Sequence, residues 1–350
     1  MTSTLSVDTL WYTRCPVPTP LGIAAHLGWF DDEFRGDGIR VASLQEGGNA
    51  DRRASHVDHS LPHSFRQGGS IPALWARSQG VETRLLGLTW IDESQAILVL
   101  PGSGIASPHG LRGRRLGLPS RAARCIDIFR AAALRGFLSA LSLESMTHAD
   151  VELVDVPAAP IDGGDAPAVL ADYFSNPSSA WSRSLYAAEV RALLRGDVDA
   201  IYVKGSLGLE TAHLIGARVV VDLGFHPDAQ IRINNGSPRP LTVDSALLEE
   251  RPDLVRCFVQ RIVDVEDWGR ARPDEVLAFL GRETGSTPDW LRLAYGDAVH
   301  GKLRTGLDGA SIQALSHFKD FLFAWGFLPR DFSITDWLAP DAGTLRSPAD

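Results

Sequence analysis

A cysteine followed by alternating prolines is the first feature of the sequence that could do chemistry. Cys15 lies in DTLWYTRCPVPTP, directly after aromatic and apolar residues that are typical of a β-strand. Pro16, Pro18 and Pro20 prevent further strand pairing, and helically spaced apolar residues follow them. We therefore predict Cys15 at the carboxyl end of a strand, facing the start of a helix, where α/β sheets bind ligands and a thiolate is favoured. A structural role is the alternative, because free cysteine is a common core residue.

Three regularly spaced histidines raise the question of a metal site. His56, His59 and His63 lie at i, i+3 and i+7, which is the spacing of ligands on one helical face. Pro62 falls inside this span and breaks helical register, and no HExxH pattern accompanies it. We therefore expect no metal site, and we predict that the segment 56–69 is a polar surface loop.

Arg66 and the glycine pair after it could bind an oxyanion. A guanidinium offers parallel N–H donors to a forked anion. Gly68 and Gly69 would let backbone N–H groups approach the same anion. Ser120, predicted at the N-cap of a long helix, is a third candidate anion contact. Each has a simpler alternative: a surface arginine before a turn, or ordinary helix capping.

The elements that must position these residues alternate along the chain. Predicted strands cover 38–44, 83–90, 95–100, 114–119, 151–156, 199–203 and 217–223, with helices between several of them and mostly helices after residue 245. This alternation predicts an α/β fold with largely parallel strand pairing.

Two crossing points divide the chain into lobes. One is the Pro-, Gly- and Ser-rich segment 101–113, and the other begins at Gly205. We predict a first lobe that the chain leaves and re-enters, as in hinged binding proteins. Residues 1–104 are predicted to form the first part of the first lobe, and they contain Cys15, His56 and Arg66. Residues 105–204 are predicted to form the second lobe. The mostly helical residues 205–350 are predicted to complete the first lobe.

The composition excludes several classes of partner. The 350 residues carry 34 Lys and Arg against 43 Asp and Glu, a net charge of −9, which argues against nucleic-acid and membrane partners. Cys15, Cys125 and Cys257 lie far apart without a CxxC pattern, so neither a disulfide framework nor a zinc site is expected. The sequence shows no signal peptide and no membrane span, and we expect a cytoplasmic protein. It also lacks the motifs GxGxxG, a Walker loop and GxSxG. We further expect the protein to be a monomer.

Several segments, taken together and in order, resemble one enzyme family. They are YTRCPVP, HVDHSLPHSFRQGGSIP, TRLLG, GRRLGLPS and GDVDAIY, and the resemblance runs from about residue 9 to residue 337. The family is that of the 2'-hydroxybiphenyl-2-sulfinate desulfinases, which act last in bacterial dibenzothiophene desulfurization. The resemblance implies a two-lobed, periplasmic-binding-protein-like (type II) α/β fold with mostly parallel sheets flanked by helices. It also implies cofactor-independent hydrolysis of an aryl carbon–sulfur bond, which converts a small aromatic sulfinate to the arene and sulfite.

The resemblance also implies roles for individual residues. Cys15 of the CPVP element, His56 and Arg66 are the implied catalytic residues. Arg66 and the backbone N–H of Gly69 are implied to bind the sulfinate. Three more candidates for substrate binding are Trp11, Ser120 and Phe137, the last in place of a family tryptophan that packs on the substrate rings.

The chain departs from the family pattern in the expected aryl pocket. His59 and Leu61 stand where the family has tyrosine and glutamine, and Lys204 stands where aromatic and proline residues are expected. These differences leave the identity of the aryl group open.

Two routes and two other functions remain open at this stage. Cys15 could protonate the ring carbon as sulfur dioxide leaves, or its thiolate could attack sulfur to give an adduct that water hydrolyses. The same fold could also serve a non-enzymatic binding protein for an organosulfur anion, or a related lyase that acts on another aromatic acid.

Overall fold

The computed structural model describes residues 7–45, 50–121, 125–157 and 185–340. Two β-sheets form the framework, and helices flank both of them. We call the sheet that contains the N-terminal strand, together with its helices, the first lobe. The other sheet and its helices are the second lobe.

The strands alternate between the two sheets in blocks. In chain order they are β1 (Thr9–Arg14), β2 (Arg40–Ser43), β3 (Ser64–Gln67), β4 (Thr83–Thr89), β5 (Gln95–Val99), β6 (Arg115–Ser120), β7 (Glu152–Pro157), β8 (Ala200–Lys204), β9 (Arg218–Asp222), β10 (Arg239–Asp244) and β11 (Thr305–Gly306). The first sheet has the order β2-β1-β3-β10-β4-β11, and the second has the order β7-β6-β8-β5-β9.

The described helices are most numerous in the last third of the chain. They are α1 (Pro20–His26), α2 (Trp29–Phe34), α3 (Ala50–Asp58), α4 (Ser70–Gln79), α5 (Ile128–Ser142), α6 (Ala187–Arg195), α7 (Gly205–Leu214), α8 (Ala229–Arg232), α9 (Ser245–Glu250), α10 (Pro252–Val263), α11 (Val265–Ala271), α12 (Pro273–Thr284), α13 (Pro288–Tyr295), α14 (Gly309–Ala324) and α15 (Ile334–Trp337). Within the described residues, none of them is both long and apolar enough to cross a membrane.

The sheets are more mixed than the expected mostly parallel arrangement. β1 pairs in parallel with β2 and β3, and β6 pairs in parallel with β7 and β8. β10 runs antiparallel to both β3 and β4, and β5 runs antiparallel to both β8 and β9. One reversed strand inside a sheet makes both of its pairings antiparallel, although the strands on either side of it share one direction.

Local sequence signals set several helix starts. The Thr19 hydroxyl accepts a hydrogen bond from the Gly22 N–H at 3.2 Å, and Pro20 occupies the first turn of α1. The Asp127 carboxylate caps α5 by accepting from the Arg130 N–H at 2.9 Å. Helices α10, α12 and α13 likewise begin at prolines, whose missing N–H costs nothing in the first turn.

The segment 56–69, predicted as a polar surface loop, instead contains the end of a helix and a strand, and most of its residues are buried. Helix α3 extends to Asp58 and carries His56, and β3 lies inside the first sheet. His59 and His63 have the left-handed φ angles 55° and 53°, so the chain turns sharply between the helix and the strand. Pro62 does separate the two elements. The prediction of a loop was wrong because β3 has only four residues and is recognisable mainly by its two neighbouring strands.

Ser120 does not cap a helix. It is the last residue of β6 and is paired with Pro157 of β7, and α5 begins only at Ile128 after its Asp127 cap. The chain between 122 and 124 lies outside the described residues. The carboxylate of Asp127 is the cap that the sequence analysis overlooked.

The predicted lobe boundaries at residues 104 and 204 remain a prediction. β5 and β9, which flank the predicted second lobe in sequence, pair within the second sheet. Buried side chains from both sheets, among them Leu85, Ile97 and Leu116, belong to one apolar cluster. The two lobes therefore share core contacts as well as chain crossings.

Candidate active site

Three polar groups converge on the thiol of Cys15, a buried residue that directly follows β1. The Gly69 N–H donates to its Sγ at 3.4 Å, and His56 Nε2 lies 3.6 Å from it. Arg66 Nη2 donates toward the same sulfur at 3.8 Å. The structure therefore brings together the cysteine, histidine, arginine and glycine that the sequence singled out.

The register of the first sheet produces this convergence. β1 and β3 are paired so that Thr13 lies opposite Arg66, and β10 places Thr242 on the other side of Arg66. Side chains opposite each other on adjacent strands share a face, and Cys15 follows Thr13 by the strand repeat of two. Thr13 was not predicted as a site residue, although this repeat before Cys15 is a signal that could have identified it.

The imidazole of His56 is fixed between Thr13 and Cys15. Its Nδ1 lies 2.6 Å from Thr13 Oγ1, and its backbone carbonyl accepts from Arg66 Nε at 2.9 Å. Burial, followed by the positive charge of Arg66 and the neighbouring His59, holds the pKa of His56 well below its usual 6.5. His56 is therefore neutral near pH 7, with one donor and one acceptor nitrogen.

Arg66 is a buried cation without a carboxylate partner among the described residues. Its Nη1 donates to the Gly69 carbonyl at 3.1 Å, so main-chain carbonyls and the thiol are its partners. Burial lowers the pKa of Arg66 from its ordinary value, and the nearby Cys15 acts in the opposite direction. A guanidinium remains protonated in proteins, so this site has an uncompensated positive charge that an anion would stabilise.

Close packing favours glycine at both positions of the pair. A Cβ on Gly68 would lie 2.3 Å from Cys15 Sγ, and a Cβ on Gly69 would lie 2.6 Å from the side-chain amide of Asn235. Asn235 in turn accepts from the Ile71 N–H at 2.8 Å. Gly69 is the N-cap of α4, so the positive end of this helix faces the thiol. The helix start that contacts Cys15 is thus that of α4.

A cavity of about 350 Å³ opens beside Cys15 and Gly69, within the size range of small-molecule sites. Residues of both lobes line it. The apolar wall contains Val17, Pro119, Ile128, Phe129, Ala132, Ala133, Leu185 and Leu207, and the charged residues are Glu93, Glu189, Lys204, Glu210 and Arg239. His56 and Arg66 are behind the thiol and do not belong to the lining.

Three predicted substrate contacts are not brought to this cavity. Phe137 of α5 is fully buried in the core, whereas Phe129, earlier on the same helix, lines the cavity. Trp11 packs beneath the Arg52 guanidinium, whose carbon lies 4.2 Å from the ring centre. Ser120 lies at the end of β6, next to the lining residue Pro119.

The three histidines of the possible metal pattern are not arranged as ligands. Within the part of the chain that the structure describes, no group of three or more His, Cys, Asp and Glu side chains could hold a metal ion.

Three residues that line the cavity were not predicted from the sequence: Asn235, Glu93 and Arg239. They are distant from Cys15 in sequence and belong to no local motif.

Comparison with known proteins reveals clear similarity to one group of enzymes. The chain is 30% identical over 355 residues to the 2'-hydroxybiphenyl-2-sulfinate desulfinase of Rhodococcus erythropolis, with 95% of this chain and 92% of the relative covered. The enzyme of the same name from Rhodococcus qingshengii matches equally well. No protein-family model matches the chain.

Solved structures support the same relationship. A cysteine-to-serine mutant of the desulfurization enzyme DSZB, in complex with biphenyl-2-sulfinic acid, superimposes with a TM-score of 0.76 at 25% identity, covering 96% of this chain and 98% of that one. The periplasmic aliphatic sulphonate binding protein SsuA from Escherichia coli has a TM-score of 0.64 at 13% identity, covering 95% and 92%. The predicted periplasmic-binding-protein-like α/β fold is thereby confirmed.

Proposed function

The chain belongs to the 2'-hydroxybiphenyl-2-sulfinate desulfinase family, and on this premise we propose that it cleaves the aryl carbon–sulfur bond of an aromatic sulfinate. The sulfinate and water give the arene and bisulfite. The observation that carries the proposal is the cluster of Cys15, His56, Arg66 and Gly69 at the edge of a largely apolar cavity.

Binding of the sulfinate follows from the charge of this cluster. Arg66 is buried without a carboxylate partner in the described chain, and Gly69 directs its N–H toward the point where Cys15 meets the cavity. Opposite unit charges about 4 Å apart attract by about 4 kcal/mol at an effective dielectric constant of about 20. An anionic sulfinate seated against Cys15 would supply the missing negative charge, while its ring would lie against Phe129 and Ile128.

The neutral state of His56 supports the route in which Cys15 supplies a proton. Carbon–sulfur cleavage needs one proton at the ring carbon, and the site holds one transferable proton on Cys15 beside the acceptor-capable Nε2 of His56. In this route the Cys15 proton forms the new C–H bond, the C–S bond breaks, and sulfur dioxide leaves. Water then hydrates sulfur dioxide to bisulfite, and the released proton restores the thiol.

The second route would place a thiolate against an anionic sulfinate. Like charges in a poorly solvated cavity repel, so this approach is less favourable than proton donation by a neutral thiol. The second route also leaves a covalent trace, because Cys15 becomes bonded to sulfur before hydrolysis. Mass spectrometry of the protein quenched during turnover distinguishes the two: the proton route predicts unmodified Cys15.

The central test is turnover of 2'-hydroxybiphenyl-2-sulfinate by the purified protein. We expect sulfite and 2-hydroxybiphenyl in equal amounts. Cys15→Ser should lower kcat by at least about a thousandfold, as loss of a catalytic thiol does, while calorimetry still detects binding. Cys257→Ser is the matched control, since Cys257 lies on α10 outside the cavity lining.

Other outcomes of this test identify the alternatives. Tight binding without sulfite release would support a binding protein for organosulfur anions. Release of sulfite at the same rate from Cys15→Ser would contradict the role of the thiol. A cytoplasmic location and a monomeric state remain predictions, and the monomer is tested by sedimentation of the purified chain.

A further inference from the structure

A second cluster of charges lies in the same cavity as Cys15. Lys204, at the end of β8, donates from Nζ to Glu93 Oε1 at 2.9 Å, and Arg239 of β10 donates from Nη2 to Glu93 Oε2 at 2.7 Å. Glu93 lies between β4 of the first sheet and β5 of the second, whereas Lys204 belongs to the second sheet and Arg239 to the first. All three line the cavity.

This cluster carries one surplus positive charge. Burial alone would raise the pKa of Glu93, but the attraction and hydrogen bonds of Lys204 and Arg239 hold it below its ordinary value. Glu93 is therefore ionised, and two cations surround one carboxylate. The side chains of Glu93 and Arg239 are only 3% and 1% exposed, so solvent does not screen them effectively.

Arg239 also has hydrogen-bond donors that the described protein does not satisfy. Its Nε and Nη1 are buried and have no acceptor among the described residues. Lys204 has Glu93 as its one ion-pair partner in the described chain and remains 23% exposed. Unsatisfied buried donors are rare in native proteins, and each one calls for an acceptor.

One loop connects this cluster to the thiol. Asn235 packs against Gly69, which donates to Cys15, and the next residue, Gly236, lies against Glu93. A Cβ on Gly236 would lie 2.2 Å from Glu93 Oε2, so this glycine permits the close approach of the carboxylate. Two groups of a single small molecule could therefore reach the thiol and the cluster from within one cavity.

The other carboxylates of the cavity do not cancel the surplus charge. Glu189 accepts from Arg121 Nη2 at 3.0 Å, which balances its charge. Glu210 is partly exposed, so water weakens its field. Lys204 and Arg239 are therefore the two cationic residues of the cavity lining, separate from Arg66 behind the thiol.

We propose that Lys204 and Arg239 form a second anion subsite, and that the substrate is an aromatic sulfinate that carries a carboxylate on its ring system. This inference rests on the proposed function and extends it to the substrate class. The carboxylate would receive N–H donors from the two cations while Glu93 holds both in place. A purely structural ion cluster between the two sheets is the competing explanation.

The first test compares substrates with the unmodified protein. The panel contains biphenyl-2-sulfinate and its 2'-, 3'- and 4'-carboxylated derivatives, with sulfite release as the readout. We expect at least one carboxylated compound to have a kcat/KM higher by about tenfold or more, which corresponds to one added charge-assisted hydrogen bond. Equal or lower values for all three carboxylated compounds would overturn the subsite.

The second test removes one cation. Lys204→Met should lower the kcat/KM ratio of the best carboxylated substrate to biphenyl-2-sulfinate by about tenfold. Lys302→Met is the matched control, because Lys302 pairs with Asp92, the neighbour of Glu93, but lies outside the cavity lining. It should leave the ratio unchanged. A Lys204→Met protein that melts as the native protein does and keeps the native ratio would support the structural explanation.

The two proposals fail in different ways. If no compound of the panel releases sulfite, the proposed function fails, and the subsite is then tested by calorimetry on Cys15→Ser with the same compounds. A preference of about tenfold for a carboxylated compound in that binding assay would still support the subsite. Equal affinities would reject it.

Discussion

The hydrogen bond between Thr13 and His56 offers a test of the site that leaves its reacting groups in place. Thr13→Val replaces the hydroxyl by a methyl group of similar volume and removes the 2.6 Å contact to His56 Nδ1. Both residues are buried, so water cannot replace the lost partner at low cost. We expect His56 to lose its fixed orientation relative to Cys15.

The size of the effect follows from the buried contact. Leaving a buried polar group unsatisfied costs about 1–3 kcal/mol. If that energy orients His56 in the transition state, kcat should fall by roughly 5- to 150-fold, because about 1.4 kcal/mol corresponds to a factor of ten. If it affects only the folded state, the free energy of unfolding should fall by the same amount and kcat should not change.

Two further variants separate these effects. Thr13→Ser restores the hydroxyl but loses a methyl group, so it should keep kcat near the native value while lowering the free energy of unfolding by about 1 kcal/mol. Thr242→Val is the matched control, since Thr242 is equally buried and lies opposite Arg66 on β10. The measurements are steady-state sulfite release and urea unfolding. Native kcat in Thr13→Val, or equal losses in Thr13→Ser and Thr13→Val, would refute the positioning role.

Two more predictions concern packing and pH. Gly68→Ala places a Cβ 2.3 Å from Cys15 Sγ and should displace the thiol, which lowers kcat by about a hundredfold or more and the free energy of unfolding by about 1–3 kcal/mol. Gly36→Ala is the control, because the structure leaves open space there, and it should keep native activity. A Gly68→Ala enzyme with native activity would contradict the geometry. Burial, and after it the charge of Arg66, keeps the pKa values of His56 and His59 well below 6.5, so between those lowered values and about 6.5 the unfolded chain binds more protons than the folded one. The free energy of unfolding should therefore fall as the pH drops below about 6.5. His59→Asn, in which asparagine suits the positive φ of 55°, should make this dependence on pH weaker when unfolding by urea is measured at several pH values. An unchanged dependence would show that His59 does not contribute.

The fold could be predicted where the sequence signal is local. β4 and β5 were expected at 83–90 and 95–100 and are found at Thr83–Thr89 and Gln95–Val99. β3 was missed because its four residues owe their extended form to pairing with β1 and β10. β10 was missed as well, and so was the reversed direction of β5, because strand direction depends on the path of the chain between lobes.

The site could be predicted in part for the same reason. Cys15 lies immediately after a strand, as the aromatic run and the prolines indicated, and Arg66 and Gly69 are close to it. The aromatic residue of the cavity wall is Phe129, whereas the predicted Phe137 is core. Both are phenylalanines on α5, and only the packing of that helix against its sheet decides which one faces the cavity.

The sequence by itself determined the secondary structure around Cys15 and the residue types needed to handle an anion. Strand propensity, proline geometry and glycine freedom act over a few neighbouring residues, so they can be inferred from order alone. Only the tertiary structure decided that Thr13 fixes His56, which is 43 residues away, and that Arg239 meets Glu93 across 146 residues. Such pairs arise from sheet register and from chain crossings between lobes. Their stability depends on burial, and burial exists only when distant segments of the chain pack together.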